Sequence, residues 1–125
     1  MQEIIETKQA PAPIGPYAQA IRAHGFIFTS GQIALDPATG QIAGADIATQ
    51  TRQVMKNLSA ILEAAGSTLS GIVKTTVYLT NLEDFPGFNR EYGECLGGAK
   101  PARATVQVSR LPKDALVEVE AIALA

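Results

Sequence analysis

Arg103 and Glu120 each place a full charge inside an otherwise apolar, alternating run near the C-terminal end of the chain, in the segment KPARATVQVSRLPKDALVEVEAIALA from 100 to 125. A guanidinium is by type an anion clamp, and a carboxylate is by type a group that moves protons or holds water. A charge in the middle of a half-buried strand is costly unless it is paired, solvated or kept for a task. Strand alternation puts Arg103, Thr105 and Gln107 on one face and Ala104, Val106 and Val108 on the other. In the following run, Glu118 and Glu120 share a face with Leu116 and Ile122, so that face is not uniformly polar. Spacing alone leaves two readings open: a functional pair, or a cross-strand salt bridge contributing about 0 to 1 kcal/mol if exposed.

Other residues with chemical potential fit their surroundings less well. His24 is the only histidine and falls in a predicted turn, and Cys95 is the only cysteine and has no neighbour that would lower its pKa. They read as a turn histidine and a buried helical thiol. No GxSxG elbow occurs. The string GECLGGAKP imitates a phosphate loop, but Pro101 follows Lys100 where Ser or Thr is needed.

The elements that must position these residues are legible from periodicity. Tyr17–Arg22 and Phe26–Ile33 read as two strands joined around Ala23, His24 and Gly25. Leu35 to Gly40 reads as a turn, with a brief strand over Gln41–Ala43 after it. From Ile47 the period becomes helical: Ile47, Thr51, Val54, Leu58, Ile61, Leu62 and Ala65 form one stripe, with Asp46 as N-cap and Gly66 at the C-terminal stop. Gly71–Thr80 reads as a central strand with Val73, Thr75, Val77 and Leu79 on one face. A second helix follows, capped by Asp84, with Pro86 in its first turn, Phe85, Phe88, Tyr92 and Cys95 or Leu96 at helical spacing, and Gly97-Gly98 at its end. The order β-β-(β)-α-β-α-β-β predicts an α+β fold, one mixed sheet with both helices on one face. Since Leu116–Leu124 puts apolar side chains on both faces, the uncovered face predicts a homo-oligomer.

Size and charge narrow the partners. A chain of 125 residues is long enough for one domain with a core of its own, here taken as 1–125. A net charge of -2 gives no electrostatic footprint for nucleic acid or an anionic membrane, so small molecules are the expected ligands. One cysteine excludes an intrachain disulfide, and a structural zinc site has no second thiol. The start MQEIIETKQAPAP lacks a basic, apolar leader, and no apolar run reaches membrane-spanning length, so a cytoplasmic location is expected.

Several short motifs occur together and in order: Ala12-Pro13-Ile14-Gly15-Pro16-Tyr17, Ser30-Gly31-Gln32, Val73-Lys74-Thr75-Thr76-Val77, Asn89, Pro101-Ala102-Arg103, Arg110-Leu111-Pro112-Lys113-Asp114 and Glu118-Val119-Glu120-Ala121-Ile122-Ala123. In combination they resemble the RidA family, also called YjgF, over nearly the whole chain. The resemblance implies a chorismate-mutase-like, six-stranded mixed sheet with two helices on one face, assembled as a homotrimer with active sites between subunits. It implies an enamine/imine deaminase, a hydrolase that converts 2-aminoacrylate, 2-iminopropanoate and related 2-imino acids to 2-keto acids and ammonia without metal or organic cofactor. Carried over by residue, Arg103 would grip the substrate carboxylate and Glu120 would position or activate water. Tyr17, Ser30, Gly31 and Asn89 would line the pocket. Thr105 stands where many relatives have cysteine, which excludes a thiol role there and leaves a hydrogen bond to imine or water. Gly93-Glu94-Cys95-Leu96 lacks the aromatic residues common in relatives, so pocket shape is expected to differ. The alternatives are a non-catalytic metabolite-binding or regulatory trimer and a ribonuclease or translation inhibitor, the latter disfavoured by the acidic balance and the lone His24. A simple hairpin about Leu111-Pro112 would set Arg103 opposite Glu120. The family topology instead inserts the last strand between the third strand and Val73–Leu79.

Overall fold

Why this chain makes a sheet half covered by helices follows from where its apolar residues alternate and where they recur every three or four positions. The computed structural model describes residues 2–125. It contains β1 (Glu3–Ile5), β2 (Ala20–Ala23), β3 (Phe26–Thr29), α1 (Ile47–Ala64), β4 (Ile72–Leu79), α2 (Phe85–Leu96), β5 (Ala102–Gln107) and β6 (Val117–Leu124). The strands form one six-stranded sheet in the order β1-β2-β3-β6-β4-β5. β6 runs antiparallel to both β3 and β4, while β4 and β5 are parallel, so the sheet is mixed.

Asp46 caps α1 as expected, its Oδ2 accepting from the Thr49 N–H at 3.0 Å, and Gly66 follows the helix at φ +81°, a conformation that a β-carbon disfavours. The buried stripe of α1, with Val54, Leu58, Ile61 and Leu62, packs on Val77, Leu79, Val117, Val119, Ala121 and Ala123 of the sheet, and Phe88, Tyr92 and Leu96 of α2 join the same layer. Both helices therefore cover one face. The other face carries the alternate residues of the same strands: Phe28 beside Ile122, Thr76 beside Glu120 and Tyr78 beside Glu118. Ile4, Phe26, Phe28, Val106 and Leu124 are large apolar side chains exposed there.

Four local expectations change. The sixth strand is β1, from the Pro-broken leader, where Glu3–Ile5 pairs with β2 and the Glu3–Arg22 ion pair at 3.0 Å ties the edge. Gln41–Ala43 contributes only the isolated bridge Leu35↔Ile42. In β4 a register irregularity between Ile72 and Lys74 throws Val73 outward, so Ile72, not Val73, joins Thr75, Val77 and Leu79 on the buried face. Asp84 makes no side-chain cap, because a 3₁₀ turn over Leu82–Asp84 precedes α2 and Asn81 caps that turn, its Oδ1 accepting from the Glu83 N–H at 2.9 Å. Among the described residues no helix is long and apolar enough to cross a membrane.

Candidate active site

β5 is an edge strand, and its parallel register sets Arg103 beside Thr75, a residue buried on the helix side. The guanidinium thus points under α2, which supplies three partners at helical spacing. Its carbon lies 5.3 Å from the Phe85 ring centroid and 5.1 Å from that of Tyr92, and Nη1 donates to Asn89 Oδ1 at 2.7 Å. Such cation–π contacts contribute about 0.5–2 kcal/mol each, according to exposure. Tyr92 is itself fixed, sharing a buried hydrogen bond of 2.7 Å with the Thr75 hydroxyl. The result is a guanidinium held in one orientation at a recess of about 440 Å³ bordered by Asn89, Gly93, Lys100 and Pro101. Thr105 is on the same side, but its Oγ1 is buried with no hydrogen-bond partner and does not open onto this recess.

The carboxylates lie on the opposite side of the sheet. Glu120 stands beside Thr76, out of phase with buried Thr75, and its Oε1 accepts from the Tyr78 hydroxyl at 3.3 Å. It borders a recess of about 230 Å³ with Phe28, Lys74, Thr76 and Ile122. Glu118, opposite Tyr78 on β4, leans instead against Gly31. A β-carbon at Gly31 would meet the Glu118 carboxylate, with its Cδ only 2.8 Å away, so glycine is what lets that carboxylate lie against the backbone. Half-burial first, and the neighbouring Glu120 charge second, hold the Glu118 carboxyl above the usual carboxylate range. Burial and then the charge of Glu120 push the Tyr78 phenol upward in the same way.

Gly31 owes its position to an irregularity. Phe28 pairs with Ile122, yet Gln32 pairs with Val119, so Thr29–Gly31 accommodates one extra residue between the two strands. Ser30 fastens this segment rather than presenting its hydroxyl: Oγ donates to the Ala18 carbonyl at 2.6 Å and its N–H donates to the Gln19 carbonyl at 2.9 Å. Tyr17, Gly31 and Glu118 together line a cleft of about 290 Å³, with Ile14, Ile33, Leu35, Pro112 and Lys113 around them.

The expected residues therefore fall into two groups. Arg103, Asn89 and Thr105 belong to the β5–α2 edge, and Tyr17, Ser30, Gly31 and Glu120 to the other side of the sheet. One copy of the chain does not bring Arg103 and Glu120 together, and the hairpin that would have paired them is absent because β6 lies between β3 and β4. Two residues with a place in the carboxylate group, Glu118 and Tyr78, were not among the expected site residues. The two-residue period already put Glu118 on Glu120's face, but only the pairing of Gln32 with Val119 shows which of the two carboxylates reaches Gly31. No cluster of three His, Cys, Asp or Glu side chains arranged to hold a metal occurs among the described residues.

Comparison with known proteins agrees with this architecture. The family model described as Endoribonuclease L-PSP matches residues 7–125. A RutC family protein of Pyrococcus horikoshii is 57% identical over 98% of this chain and 98% of its own. The crystal structure of the YjgF gene product from E. coli superposes with a TM-score of 0.93 at 46% identity, covering 98% of each chain. The structure of E. coli TdcF with bound serine does so at 0.94 and 44%, also covering 98% of each. With its six-stranded sheet, two helices and near full-length identity to these proteins, the chain belongs to the RidA (YjgF) family.

Proposed function

We propose that this protein is an enamine/imine deaminase that hydrolyses 2-aminoacrylate, its tautomer 2-iminopropanoate and related 2-imino acids to 2-keto acids and ammonia. The observation that carries this reading is the Glu118 carboxyl, half-buried against Gly31 in the lining of a cleft, with its proton affinity raised. A carboxyl whose pKa moves toward neutrality can both give and take a proton, which is what imine hydrolysis requires and what an unshifted surface glutamate does poorly. In this scheme a proton from Glu118 converts the enamine to the iminium at carbon. The resulting carboxylate takes a proton from water as the water oxygen bonds to the C=N carbon, and gives that proton to the carbinolamine nitrogen. As the C–N bond breaks and ammonia leaves, the carbinolamine hydroxyl becomes the C=O and returns its proton to Glu118, which restores the acid. Glu120, the carboxylate expected from the resemblance, acts beside it by keeping negative charge near Glu118, with Tyr78 donating to it. Arg103 takes the substrate carboxylate, its fork pre-oriented by Asn89, Phe85 and Tyr92.

Since Arg103 and the two glutamates occupy opposite sides of one sheet, the complete site joins two copies: the β5–α2 edge of one against the uncovered face of the next. A homotrimer closes such head-to-tail contacts into a ring and covers the exposed Ile4, Phe26, Phe28, Val106 and Leu124. A metabolite-binding module without turnover is the second reading, favoured by one observation: the related TdcF was crystallised with serine bound. The ribonuclease in the family model's description fits less well, because Glu118 and Glu120 side by side repel a phosphodiester. The test generates 2-aminoacrylate with a serine dehydratase and follows keto-acid release. Acceleration that is lost in Arg103→Ala supports the reading. Tight keto-acid binding with no acceleration favours the binding module.

A further inference from the structure

The cleft above Glu118 has one feature that hydrolysis of a three-carbon imine does not use. Lys113 lines it, together with Tyr17, Pro112 and the apolar side chains of Ile14, Ile33 and Leu35. Lys113 and Asp114 are consecutive non-glycine residues with positive φ, both at 56°. That backbone is unfavourable for residues bearing a β-carbon, and glycine would adopt it freely. Such strain is retained where surrounding structure enforces it, and functional sites are where it concentrates.

Here the enforcement is visible. Leu111 is buried on one side of the turn and Ala115 is fully buried on the other. The Asp114 N–H donates to the Leu111 carbonyl and the Ala115 N–H to the Pro112 carbonyl, each at 3.1 Å. The Leu116 N–H donates to Gln50 Oε1 of α1 at 2.9 Å, which holds the exit of the turn. The adjacent carboxylate of Asp114 is engaged by Arg110 at 2.7 Å. Lys113 itself, which lines the same cleft as Glu118, has neither an ion pair nor a side-chain hydrogen bond among the described residues, so its ammonium is not committed to a protein partner.

The cleft is also larger than its proposed smallest substrate. About 290 Å³ is near the lower end of small-molecule pockets and exceeds what a molecule of six heavy atoms fills. With the imine carbon at Glu118 and the α-carboxylate on a neighbouring copy's Arg103, a longer side chain would have the rest of the cleft to occupy, which Ile14, Ile33, Leu35 and Lys113 line. The geometry points to Lys113 as a specificity-determining residue that recognises a second, distal anionic group, so that the 2-imino acids derived from acidic amino acids belong to the substrate class of this site. This inference rests on the deaminase reading for its chemistry, but the recognition of a distal anion is separable from turnover.

The experiment measures kcat/KM for imines generated in situ by amino-acid oxidases from leucine and from glutamate, with semicarbazide capture reporting the unhydrolysed imine. In parallel it measures the Kd for 2-oxobutanoate and 2-oxoglutarate by calorimetry. In Lys113→Met the glutamate-to-leucine ratio of kcat/KM should fall about tenfold, the loss expected of one charge-assisted contact. The 2-oxoglutarate to 2-oxobutanoate affinity ratio should fall alongside, and Lys113→Glu should lower both ratios further. Lys113→Arg should keep most of the preference. Ratios unchanged in Lys113→Met and Lys113→Glu overturn the inference while leaving the deaminase reading intact. No acceleration of either imine by the wild-type protein, with a Lys113-dependent preference for 2-oxoglutarate retained, removes the deaminase reading and leaves the recognition standing.

Discussion

Gly31→Ala isolates the carboxylate from the fold. Gly31 is not in the left-handed region, so alanine fits its backbone, and the conflict is purely one of space. The added β-carbon would lie 2.8 Å from Glu118 Cδ, against the 3.4 Å at which ordinary contact begins, and it overlaps Oε2 more severely. Glu118 must therefore swing by about 0.6 Å at the carboxyl carbon and more at the oxygen, a movement that the end of a flexible side chain can make. The folding cost is small, since alanine at a compatible position recovers about 0.4–1 kcal/mol through the unfolded chain. Chemistry is less forgiving: a misplacement of about 1 Å costs on the order of 10²-fold, or about 2.7 kcal/mol of barrier. The assay pairs kcat/KM on dehydratase-generated 2-aminoacrylate with a thermal melt of the same preparation. The expected result is a fall in kcat/KM of about a hundredfold with a Tm within about 5 °C of wild type. Wild-type kcat/KM at an unchanged Tm would refute the assignment of Glu118.

Other perturbations follow from particular contacts. The folded-state pKa of Glu118 is raised above its ordinary 4.5, so its contribution to stability is fully present below that value and is lost as pH rises through the higher folded value. Glu118→Gln should accordingly raise the Tm at about pH 8, and the gain should disappear on acidification to about pH 4; a gain independent of pH would contradict this. Thr75→Val leaves the buried Tyr92 hydroxyl without its partner and should cost about 1–3 kcal/mol in urea unfolding, together with a raised KM as Arg103 loses a fixed platform. Phe28→Glu puts a charge beside Ile122 on the uncovered face and should shift light scattering at micromolar concentration from the proposed trimer to the 13.1 kDa chain.

Much of the fold was legible where the signal is local. Asp46, the stripe from Ile47 to Leu62 and Gly66 defined α1 almost to the residue, because caps and a helical period act within a few positions. Glu3–Ile5 was not legible, since three residues carry no measurable period and the strand exists through its pairing with Ala20–Arg22. Val73 misled for a related reason: alternation assumes an unbroken ladder, and the irregularity after Ile72 breaks it. The site shows the same division. Arg103 and Glu120 drew notice as charges in apolar strands, whereas the choice between Glu118 and Glu120 at Gly31 depends on the slip in pairing between Phe28 and Gln32, which no local pattern encodes. The separation of Arg103 from both glutamates follows from β6 entering the middle of the sheet, a matter of topology.

The central claim is that Arg103 of one subunit works with Glu118 of the next. Arg103→Ala and Glu118→Gln, each expected to be inactive alone, are mixed, dissociated and reassembled at equal ratio to test it. Each head-to-tail contact in a ring draws its two partners independently, so about a quarter of the contacts combine an intact arginine with an intact glutamate. The expected result is recovery of about a quarter of wild-type activity. Recovery of none, from mixed trimers verified by native mass spectrometry, would show that both residues serve the same copy and contradict it.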